Sequence, residues 1–218
     1  MEEGRMLLVN SIFTSISGEV GAIPQGTPVT FIRLQGCNMQ PPCPYCDTID
    51  SQDRDSGYQM SIDEVISHVK TKNVILTGGE PLMQWDWSPL TIQLARLERR
   101  VQIETNGTWA PDVTMPVNYV MDQKMFLSKT KRRANEFAVC LNPDDWIKYV
   151  VEDKDQLDTA IFEMKDISYY ALCQLAVSVV NDGGNPLIPY SYVINKFIDN
   201  GLDNVVVNFQ IHKLVDLP

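Results

Sequence analysis

Three cysteines within one short segment are the feature that most constrains what this chain can fold around. The segment reads Cys37-Asn-Met-Gln-Pro-Pro-Cys43-Pro-Tyr-Cys46, and an aspartate and Thr48 follow it directly. Three thiolates this close together can hold three corners of an iron–sulfur cluster and leave one iron open to a small molecule. Cys37, Cys43 and Cys46 are therefore candidate cluster ligands with a catalytic role.

Two other interpretations of the cysteines stay open at this point. A structural zinc ion needs four protein ligands, yet His68, His212, Cys140 and Cys173 all lie far from the segment in sequence. A disulfide framework fits poorly with an odd total of five cysteines and with the lack of an apolar signal segment at the start of the sequence. From the cysteines alone, a cluster, zinc and redox-active thiols all remain, and we expect a cytoplasmic protein.

Composition excludes several classes of protein. The 218 residues carry a net charge of −10, which argues against a surface that binds nucleic acid. No apolar run approaches the roughly 18 residues of a membrane-spanning helix. One basic cluster, at Lys129, Lys131, Arg132 and Arg133, predicts either a solvated loop or a docking patch for an acidic electron donor.

Strand-like and helix-like segments alternate along the chain, which predicts a parallel α/β sheet with right-handed crossovers. The length fits one domain over residues 1–218. A capping box at Ser61 and Glu64 marks one helix start. The expected strands are Val29–Leu34, Val74–Thr77, Val101–Glu104, Val117–Met121, Trp146–Val151, Leu175–Val180 and Val205–Phe209, and the expected later helices are Ser88–Arg96, Asp155–Phe162 and Tyr190–Asp199.

Polar and glycine-rich sequence follows most of these strands, and the carboxyl ends of parallel strands meet at one rim of the sheet. In Thr77-Gly78-Gly79-Glu80-Pro81 the two glycines let the backbone approach a ligand closely, and Glu80 offers a carboxylate suited to an ammonium. Beside three cysteines, this turn fits a ligand that resembles an amino acid. The segments Glu104–Gly107, Asp122–Lys124 and Asn181–Gly184 follow other strands and are expected at the same rim.

The cysteine triplet, Tyr45 before its last member and Gly78-Gly-Glu-Pro81, in that order, resemble the radical S-adenosylmethionine enzymes. The resemblance implies an incomplete parallel β/α barrel, a [4Fe-4S] cluster and S-adenosylmethionine, whose amine and carboxylate chelate the open iron. Five residues separate Cys37 from Cys43 where three are common in that superfamily, and the extra pair fits Pro41-Pro42 as a small bulge.

More narrowly, the chain is similar to the 7-carboxy-7-deazaguanine synthase family. The segments that carry this resemblance are Ser11–Glu19, Phe31–Asn38, Cys46–Thr48, Thr77–Leu82, Glu104–Gly107, Ile147–Val151 and Asn208–Lys213. The resemblance implies a lyase of 7-deazapurine (queuosine-type) biosynthesis that contracts the ring of 6-carboxy-5,6,7,8-tetrahydropterin with loss of ammonia. It also implies a homodimer and an electron donor such as flavodoxin.

The same resemblance implies roles for individual residues. Thr48 would bind Mg²⁺ together with the substrate carboxylate; it also fits a simple turn cap. The expected pterin-binding residues are Ile16, Ser17, Gly18, Glu19, Arg33, Thr77, His212 and Pro218. The expected S-adenosylmethionine-binding residues are Tyr45, Gly78, Gly79, Glu80, Glu104, Asn106, Asp122, Gln123 and Lys124.

Some positions depart from the family pattern or allow a plainer interpretation. Ser17 stands where the family often has glutamine, and Asp122-Gln123-Lys124 replaces a common Ser-Pro-Lys. By residue type alone, Arg33 also fits a surface ion pair and Glu19 a turn cap. Two other functions remain as alternatives: a non-enzymatic zinc module, and a radical enzyme of another substrate class such as an activase.

Overall fold

A nine-stranded sheet organises the computed structural model, which describes residues 6–129, 131–182, 184–215 and 217. Pro218 lies outside the described residues. The strands are β1 (Met6–Ile16), β2 (Pro28–Leu34), β3 (Tyr58–Ser61), β4 (Asn73–Gly78), β5 (Arg100–Thr105), β6 (Asn118–Lys124), β7 (Trp146–Val151), β8 (Gln174–Val179), β9 (Asn181–Asp182), β10 (Asn185–Pro186) and β11 (Val205–Asn208). The helices are α1 (Ile62–Ser67), α2 (Trp87–Arg96), α3 (Lys154–Ile167), α4 (Tyr190–Asn200) and α5 (Ile211–Leu214).

The sheet is mostly parallel and open, as the predicted α/β partial barrel requires. Its strand order is β11-β8-β7-β6-β5-β4-β2-β1-β3, and all neighbours from β11 to β2 run parallel. Among the described residues, no ladder joins β3 to β11, so the barrel does not close by strand pairing. β9 and β10 form a separate small hairpin. Along the part of the chain described here, no helix is long and apolar enough to cross a membrane.

The loop between β1 and β2 reaches back to the far edge of the sheet. The backbone N–H of Val20 donates to Asn208 Oδ1 at 2.9 Å, and the N–H of Ile211 donates to the carbonyl of Gly18 at 2.9 Å. Residues that stand nearly 200 positions apart in sequence are thereby joined at the open side of the partial barrel. This contact brings the Ser17–Glu19 turn to the end of β11.

The sequence pattern does not predict β1, β3 or the short strands β9 and β10. β1 pairs antiparallel with β2 and, near its start, with β3. Because β1 carries polar residues such as Asn10 and Thr14 and is only partly buried, it lacks the continuous apolar run that marks the parallel strands. The capping box of α1 is confirmed, whereas α3 extends to Ile167, past the expected end at Phe162.

Alternation along the parallel strands separates two faces of the sheet. In β4, Val74 and Leu76 pack in the main hydrophobic core, while Thr77 faces the opposite side. In β7, Ile147 and Tyr149 are fully buried in the core, and Lys148 points the other way. Helices α2 and α3 contact β5 and β7 on the core side. Polar side chains of the parallel strands therefore collect on the face that the helices leave free.

A buried ion pair fastens the segment after β6 to α3. The side chains of Arg132 and Glu163 form this pair and are only 8% and 10% exposed. Glu163 Oε2 also accepts hydrogen bonds from Gln123 Nε2 and Asn135 Nδ2, each at 3.0 Å. Arg132 Nη1 donates to the carbonyl of Leu127 at 2.8 Å. The segment is therefore held on the helix face of the sheet.

This pair corrects part of the expectation for the basic cluster. Arg132 is an internal structural residue, because its guanidinium pairs with Glu163 and donates a hydrogen bond to a carbonyl. Arg133 is partly exposed and pairs with Glu136, and its guanidinium lies 5.3 Å from the centroid of the Phe137 ring. Lys129 and Lys131 remain exposed. Only these two lysines and Arg133 are available to a docking partner.

Substitution of Glu163 by alanine should destabilise the protein strongly, because Arg132 would then remain buried without a counter-charge. We expect the free energy of unfolding to fall by about 3–5 kcal/mol. Glu136→Ala is the matched control, since its pair with Arg133 is about half exposed and should be worth less than about 1 kcal/mol. Urea unfolding of cluster-free protein measures both. Equal losses in the two variants would contradict the assigned role of the buried pair.

Candidate active site

A cavity of about 270 Å³ opens at the carboxyl ends of the parallel strands, on the face that the helices leave free. It brings together sixteen of the residues expected from the sequence. These are Gly18, Glu19, Arg33, Cys37, Cys43, Tyr45, Cys46, Thr48, Thr77, Gly78, Gly79, Glu104, Asn106, Asp122, Lys124 and His212. Five different strand ends thus contribute to one site, as the strand-end pattern predicted.

Four expected residues do not line this cavity. Ile16 ends β1, paired with Pro28, and Ser17 is buried in the following turn, where its Oγ donates to the carbonyl of Ile23 at 3.1 Å. The side chain of Gln123 points to the helix face, toward Glu163, because it alternates with its neighbours along β6. The fourth residue is Glu80. The expectation for Pro218 falls on a residue outside the described part of the chain.

Glu80 does not line the cavity, so its carboxylate is not placed to pair with the ammonium group of a ligand there. It forms hydrogen bonds to the end of the neighbouring strand instead. Its carboxylate is fully buried and accepts hydrogen bonds from Thr105 Oγ1 at 2.7 Å, from the N–H of Asn106 at 2.7 Å and from the N–H of Leu82 at 3.0 Å. Burial raises the pKa of Glu80 to about 7, although these hydrogen bonds oppose the rise. Glu80 therefore fixes the turn that carries Asn106.

The cysteine loop forms one wall of the cavity, is anchored at its start and contains a hydrogen-bonded turn at its end. The N–H of Cys37 donates to the carbonyl of Gln52 at 3.2 Å, and the N–H of Cys46 donates to the carbonyl of Cys43 at 3.1 Å. Asn106 Nδ2 lies 3.9 Å from Cys37 Sγ and donates to it. The loop thus presents three thiols from a fixed backbone.

These thiols suit a cluster better than a single zinc ion. Burial raises the pKa of Cys37 and raises that of Cys43 to about 11, so metal binding must displace their protons. Within the described ranges, no three His, Cys, Asp or Glu side chains converge as ligands of one ion. Cys37, Cys43 and Cys46 share one cavity wall and would hold a cluster in which each thiolate binds a different iron.

The Gly78–Gly79 turn lies directly against the start of the cysteine loop. The N–H of Gly79 donates to the carbonyl of Leu34 at 3.1 Å. Gly78 has a φ of +151°, and a Cβ added there would lie 2.2 Å from the carbonyl oxygen of Leu34. A Cβ on Gly79 would lie 2.2 Å from the carbonyl oxygen of Gly36. Only glycine therefore allows this backbone to line the cavity beside the cysteines.

Arg33 supplies a positive charge at the β2 end of the cavity. Its guanidinium lies 5.3 Å from the centroid of the Phe13 ring, which stacks on Phe31 with the centroids 5.1 Å apart. The Nε atom of Arg33 is buried and has no hydrogen-bond partner among the described residues. A buried guanidinium nitrogen without a partner fits an anionic ligand such as a carboxylate.

Glu19 supplies a negative charge at the opposite end. Lys148 Nζ forms an ion pair with Glu19 Oε2, Asn208 Nδ2 donates to the same oxygen at 3.1 Å, and Gln210 Nε2 donates to Oε1 at 2.7 Å. Burial alone would raise the pKa of Glu19, but Lys148 and these hydrogen bonds together lower it to about 2. Glu19 is therefore an ionised carboxylate facing the cavity.

Asp122 stands between two lysines on adjacent strands. Its Oδ2 atom pairs with Lys124 Nζ at 2.7 Å, and its Oδ1 atom pairs with Lys148 Nζ at 3.1 Å. Burial disfavours the charged form of Lys148, but Asp122, Glu19 and Glu104 outweigh it and raise its pKa well above the ordinary value. Lys124 Nζ also lies 5.6 Å from the centroid of the Tyr45 ring. An unbroken ionic chain therefore runs from the cysteine wall to Glu19.

Thr48 and His212 lie at the cavity in different settings. Thr48 Oγ1 is 3.8 Å from Cys46 Sγ, so its hydroxyl stands beside the cysteine wall. His212 packs against Gly18, where an added Cβ would lie only 1.9 Å from the ring Nδ1 atom. Burial lowers the pKa of His212, which favours the neutral ring. The close packing explains why glycine precedes Glu19.

Sequence reasoning missed part of the lining. The missed residues are Phe13, Phe31, Met39, Asp47, Gln52, Lys148, Val150, Ser178, Val179, Val180, Gln210 and Lys213. Thr105 and Asn181 also line the cavity and lie in segments that were expected at this rim. Lys148 could have been identified from the sequence, because it is a lone charged residue within an otherwise apolar parallel strand. Gln210 stands in the segment Asn208–Lys213 that carries the family resemblance.

Comparison with known proteins first defines the class. Residues 31–114 match the Radical SAM superfamily model. A radical SAM methyltransferase from Sphaerobacter thermophilus shares the fold, with a TM-score of 0.55 and 13% identity, over 82% of this chain and 65% of that one. Fold, cysteine loop and superfamily match together make this chain a radical S-adenosylmethionine enzyme, a class that uses a [4Fe-4S] cluster and S-adenosylmethionine.

The particular family follows from curated relatives. The chain is 33% identical over 215 residues to the 7-carboxy-7-deazaguanine synthase of Methanospirillum hungatei, covering 96% of this chain and 86% of the relative. It is 32% identical to that of Clostridium acetobutylicum, covering 93% of each. QueE from Escherichia coli has the same fold, with a TM-score of 0.72 and 21% identity over 94% of each chain. The chain belongs to the 7-carboxy-7-deazaguanine synthase family.

The buried carboxyl of Glu104 should make stability fall as pH rises. Burial, followed by the negative charge of Glu19, raises the pKa of Glu104 to about 7 in the folded protein. Its unfolded value is about 4.3, so between these values the folded state binds more protons and loses stability with rising pH. Glu104→Gln should remove up to about 1.4 kcal/mol per pH unit from that slope, while the contribution of Glu80 remains.

Urea unfolding of cluster-free protein at several pH values measures the slope. Glu136→Gln is the matched control, because Glu136 is an exposed glutamate outside the cavity. It should leave the wild-type slope unchanged. A Glu104→Gln protein with the wild-type slope would show that Glu104 is ionised in the fold at neutral pH.

Proposed function

We infer that the chain acts as a 7-carboxy-7-deazaguanine synthase on 6-carboxy-5,6,7,8-tetrahydropterin. In this reaction the pyrazine ring of the pterin rearranges and contracts, and one nitrogen leaves as ammonia. Relatives of this name match nearly the whole chain, which supports the activity. The cavity supports the substrate, because its charges match the two ends of such a molecule.

One observation carries the assignment: a single cavity holds the three thiols, a buried arginine nitrogen without a partner and an ionised glutamate. Arg33 lies on β2 and Glu19 beside β7 and β11, so the two charges stand toward opposite ends of the parallel sheet. A pterin with a carboxylate at one end and a guanidine-like edge at the other complements this arrangement. An enzyme acting on a protein backbone would need neither charge.

Arg33 binds the substrate carboxylate in this proposal, because a guanidinium can donate two parallel hydrogen bonds to it. Glu19 accepts hydrogen bonds from the guanidine-like edge. Thr77 lies one strand away from Arg33, opposite it in the sheet register, and holds the middle of the substrate. Gly18 and His212, packed together, close the end of the cavity beside Glu19. These contacts hold the reacting ring against the cysteine wall.

The residues proposed for the cofactors line the same cavity as the substrate residues. Cys37, Cys43 and Cys46 would hold the cluster, and the backbone at Gly78 and Gly79 would bind the methionyl part of S-adenosylmethionine. Glu104, Asn106, Lys124 and Tyr45 would contact the remainder. When bound, and after the cluster has received one electron from an external donor, the two cofactors would supply a 5′-deoxyadenosyl radical able to take a hydrogen atom from C6 of the pterin.

An anaerobic assay with dithionite, S-adenosylmethionine, Mg²⁺ and 6-carboxytetrahydropterin tests the function in cluster-reconstituted protein. We expect mass spectrometry to detect 7-carboxy-7-deazaguanine and 5′-deoxyadenosine. Cys43→Ala should abolish both products, because it removes one cluster ligand. Cys140→Ala is the matched control, since Cys140 is exposed and outside the cavity, and it should retain both products.

The outcomes separate cofactor from substrate. Formation of 5′-deoxyadenosine without the deazaguanine would keep the radical chemistry and refute the pterin assignment. Absence of both products from protein that carries an intact four-iron cluster would refute the proposed function as a whole.

Mg²⁺ is proposed as a further cofactor, bound by Thr48. Its hydroxyl lies at the cavity beside Cys46, where a magnesium ion could join it to the substrate carboxylate. Thr48→Ala should raise the Mg²⁺ concentration required for half-maximal activity by about tenfold or more, whereas Thr48→Ser keeps the oxygen ligand and should behave like wild type. Identical Mg²⁺ titrations for wild type and Thr48→Ala would remove Thr48 from the metal site.

The remaining expectations are also proposals. Lys129, Lys131 and Arg133 form a partly exposed basic surface that suits an acidic electron donor such as flavodoxin. Family membership supports a homodimer, one domain over residues 1–218 and a cytoplasmic location. The backbone of Ile16 and Ser17 and the terminal Pro218 stay predicted substrate contacts.

A further inference from the structure

Lys148 is a buried lysine at the centre of the cavity to which neither the family motifs nor the proposed reaction gives a role. Its ammonium group pairs with Glu19 Oε2 on one side and with Asp122 Oδ1, at 3.1 Å, on the other. The side chain is only 9% exposed. Burying a lysine ammonium costs free energy unless groups of opposite charge are fixed around it.

The hydrogen bonds of Glu19 show how many acceptor positions of its carboxylate remain free for a ligand. A carboxylate offers about four acceptor positions, two on each oxygen. Lys148 and Asn208 occupy Oε2, and Gln210 occupies one position on Oε1. About one acceptor position on Oε1 therefore remains for a ligand, and it is held in a fixed direction by three protein donors.

Other charged groups around Glu19 cannot replace Lys148. Glu104 on β5, Asp122 on β6 and Asp47 in the cysteine segment are carboxyl groups that face the same cavity. His212 on α5 is partly buried with a lowered pKa, and within the described part of the chain it makes no hydrogen bond or ion pair with Glu19. Lys213 pairs with Asp47 and bonds to Gln210 rather than to Glu19. Lys148 is thus the direct cationic partner of Glu19 within the described residues.

We propose that Lys148 is a positioning residue that keeps Glu19 ionised and oriented so that its free Oε1 position recognises the guanidine-like edge of a pterin. Asp122 holds the ammonium from the other side. This inference rests on the proposed function, since it concerns the substrate of the same cavity. By this proposal, Lys148 helps the site to select a pterin, which carries a 2-amino group, over an analogue that carries an oxygen at the same position.

Equilibrium binding to anaerobic, cluster-reconstituted enzyme with S-adenosylmethionine tests the proposal. The probes are 6-carboxypterin and 6-carboxylumazine, which differ because an oxygen replaces the 2-amino group in the lumazine. In Lys148→Met we expect affinity for 6-carboxypterin near pH 6 to fall by about tenfold, the usual loss for a hydrogen bond to a charged group. Affinity for 6-carboxylumazine should change by less than about threefold, because that ligand keeps ring N–H groups but lacks the 2-amino donor whose hydrogen bond is tested.

The pH dependence distinguishes positioning from a merely structural role. Wild-type affinity for 6-carboxypterin should show no acid limb from Glu19 between about pH 5.5 and about pH 7.5, since Glu19 is ionised throughout. In Lys148→Met the buried glutamate gains a proton, so affinity should recover as pH rises. Adding Glu19→Gln to Lys148→Met should abolish that recovery, which separates Glu19 from Glu104, Asp122 and His212.

Three further variants complete the test. Lys148→Gln retains donors to both carboxylates but lacks the charge, and it should show the same new acid limb even if the methionine variant fails to fold. Lys196→Met removes a surface lysine that pairs with Asp158 far along the chain, and it should match wild type in every measurement. Lys148→Arg should restore most of the discrimination.

Two results would overturn the inference while leaving the proposed function intact. One is a wild-type enzyme that forms the deazaguanine, together with a folded Lys148→Met or Lys148→Gln that keeps wild-type affinity and pH dependence. The other is an equal loss of affinity for the pterin and the lumazine. A wild-type enzyme that forms no deazaguanine would instead refute the proposed function.

Discussion

Side chains alternate between the two faces of a strand, and in this sheet the alternation decides which residues can enter the site. On β4, β6 and β7, every second residue packs against the helices, and the residues between them point to the free face. Thr77, Asp122 and Lys148 share that free face, and Gln123 does not. Because the strands are parallel, their carboxyl ends lie at one rim, so polar residues distant in sequence become neighbours.

Burial gives these neighbours unequal charge states. Glu19 and Glu104 are both carboxyl groups near one ammonium, yet the pKa of Glu19 falls to about 2 and that of Glu104 rises to about 7. The difference follows from contact, since Lys148 pairs directly with Glu19, whereas burial and the charge of Glu19 act on Glu104. The direct ion pair with Lys148 therefore stabilises the ionised form of Glu19 more than that of Glu104 on the cavity wall.

Residue type and position after a strand predicted the cysteine wall, the Gly78–Gly79 turn and the ends of β5 and β6. Glu19, Arg33 and His212 were expected only from the family resemblance. The direction of a side chain was harder to predict: Glu80 ends a strand but turns inward to three donors. Partners far apart in sequence could not be predicted at all. Glu19 meets Lys148 and Gln210 across 129 and 191 residues, respectively, through a loop that crosses the open side of the barrel.

The charge balance of the cavity gives a physical reason for the Asp122 departure from the family's usual serine. Lys124 and Lys148 carry two positive charges, and Asp122 and Glu19 carry two negative charges. A serine at Asp122 would leave one buried ammonium without a counter-charge, which is costly in a poorly solvated site. Since lysines occupy both oxygens of Asp122, its carboxylate is committed to the protein. At this strand end, Lys124 instead extends the ionic chain to the cysteine loop, because its ammonium lies 5.6 Å from the centroid of the Tyr45 ring.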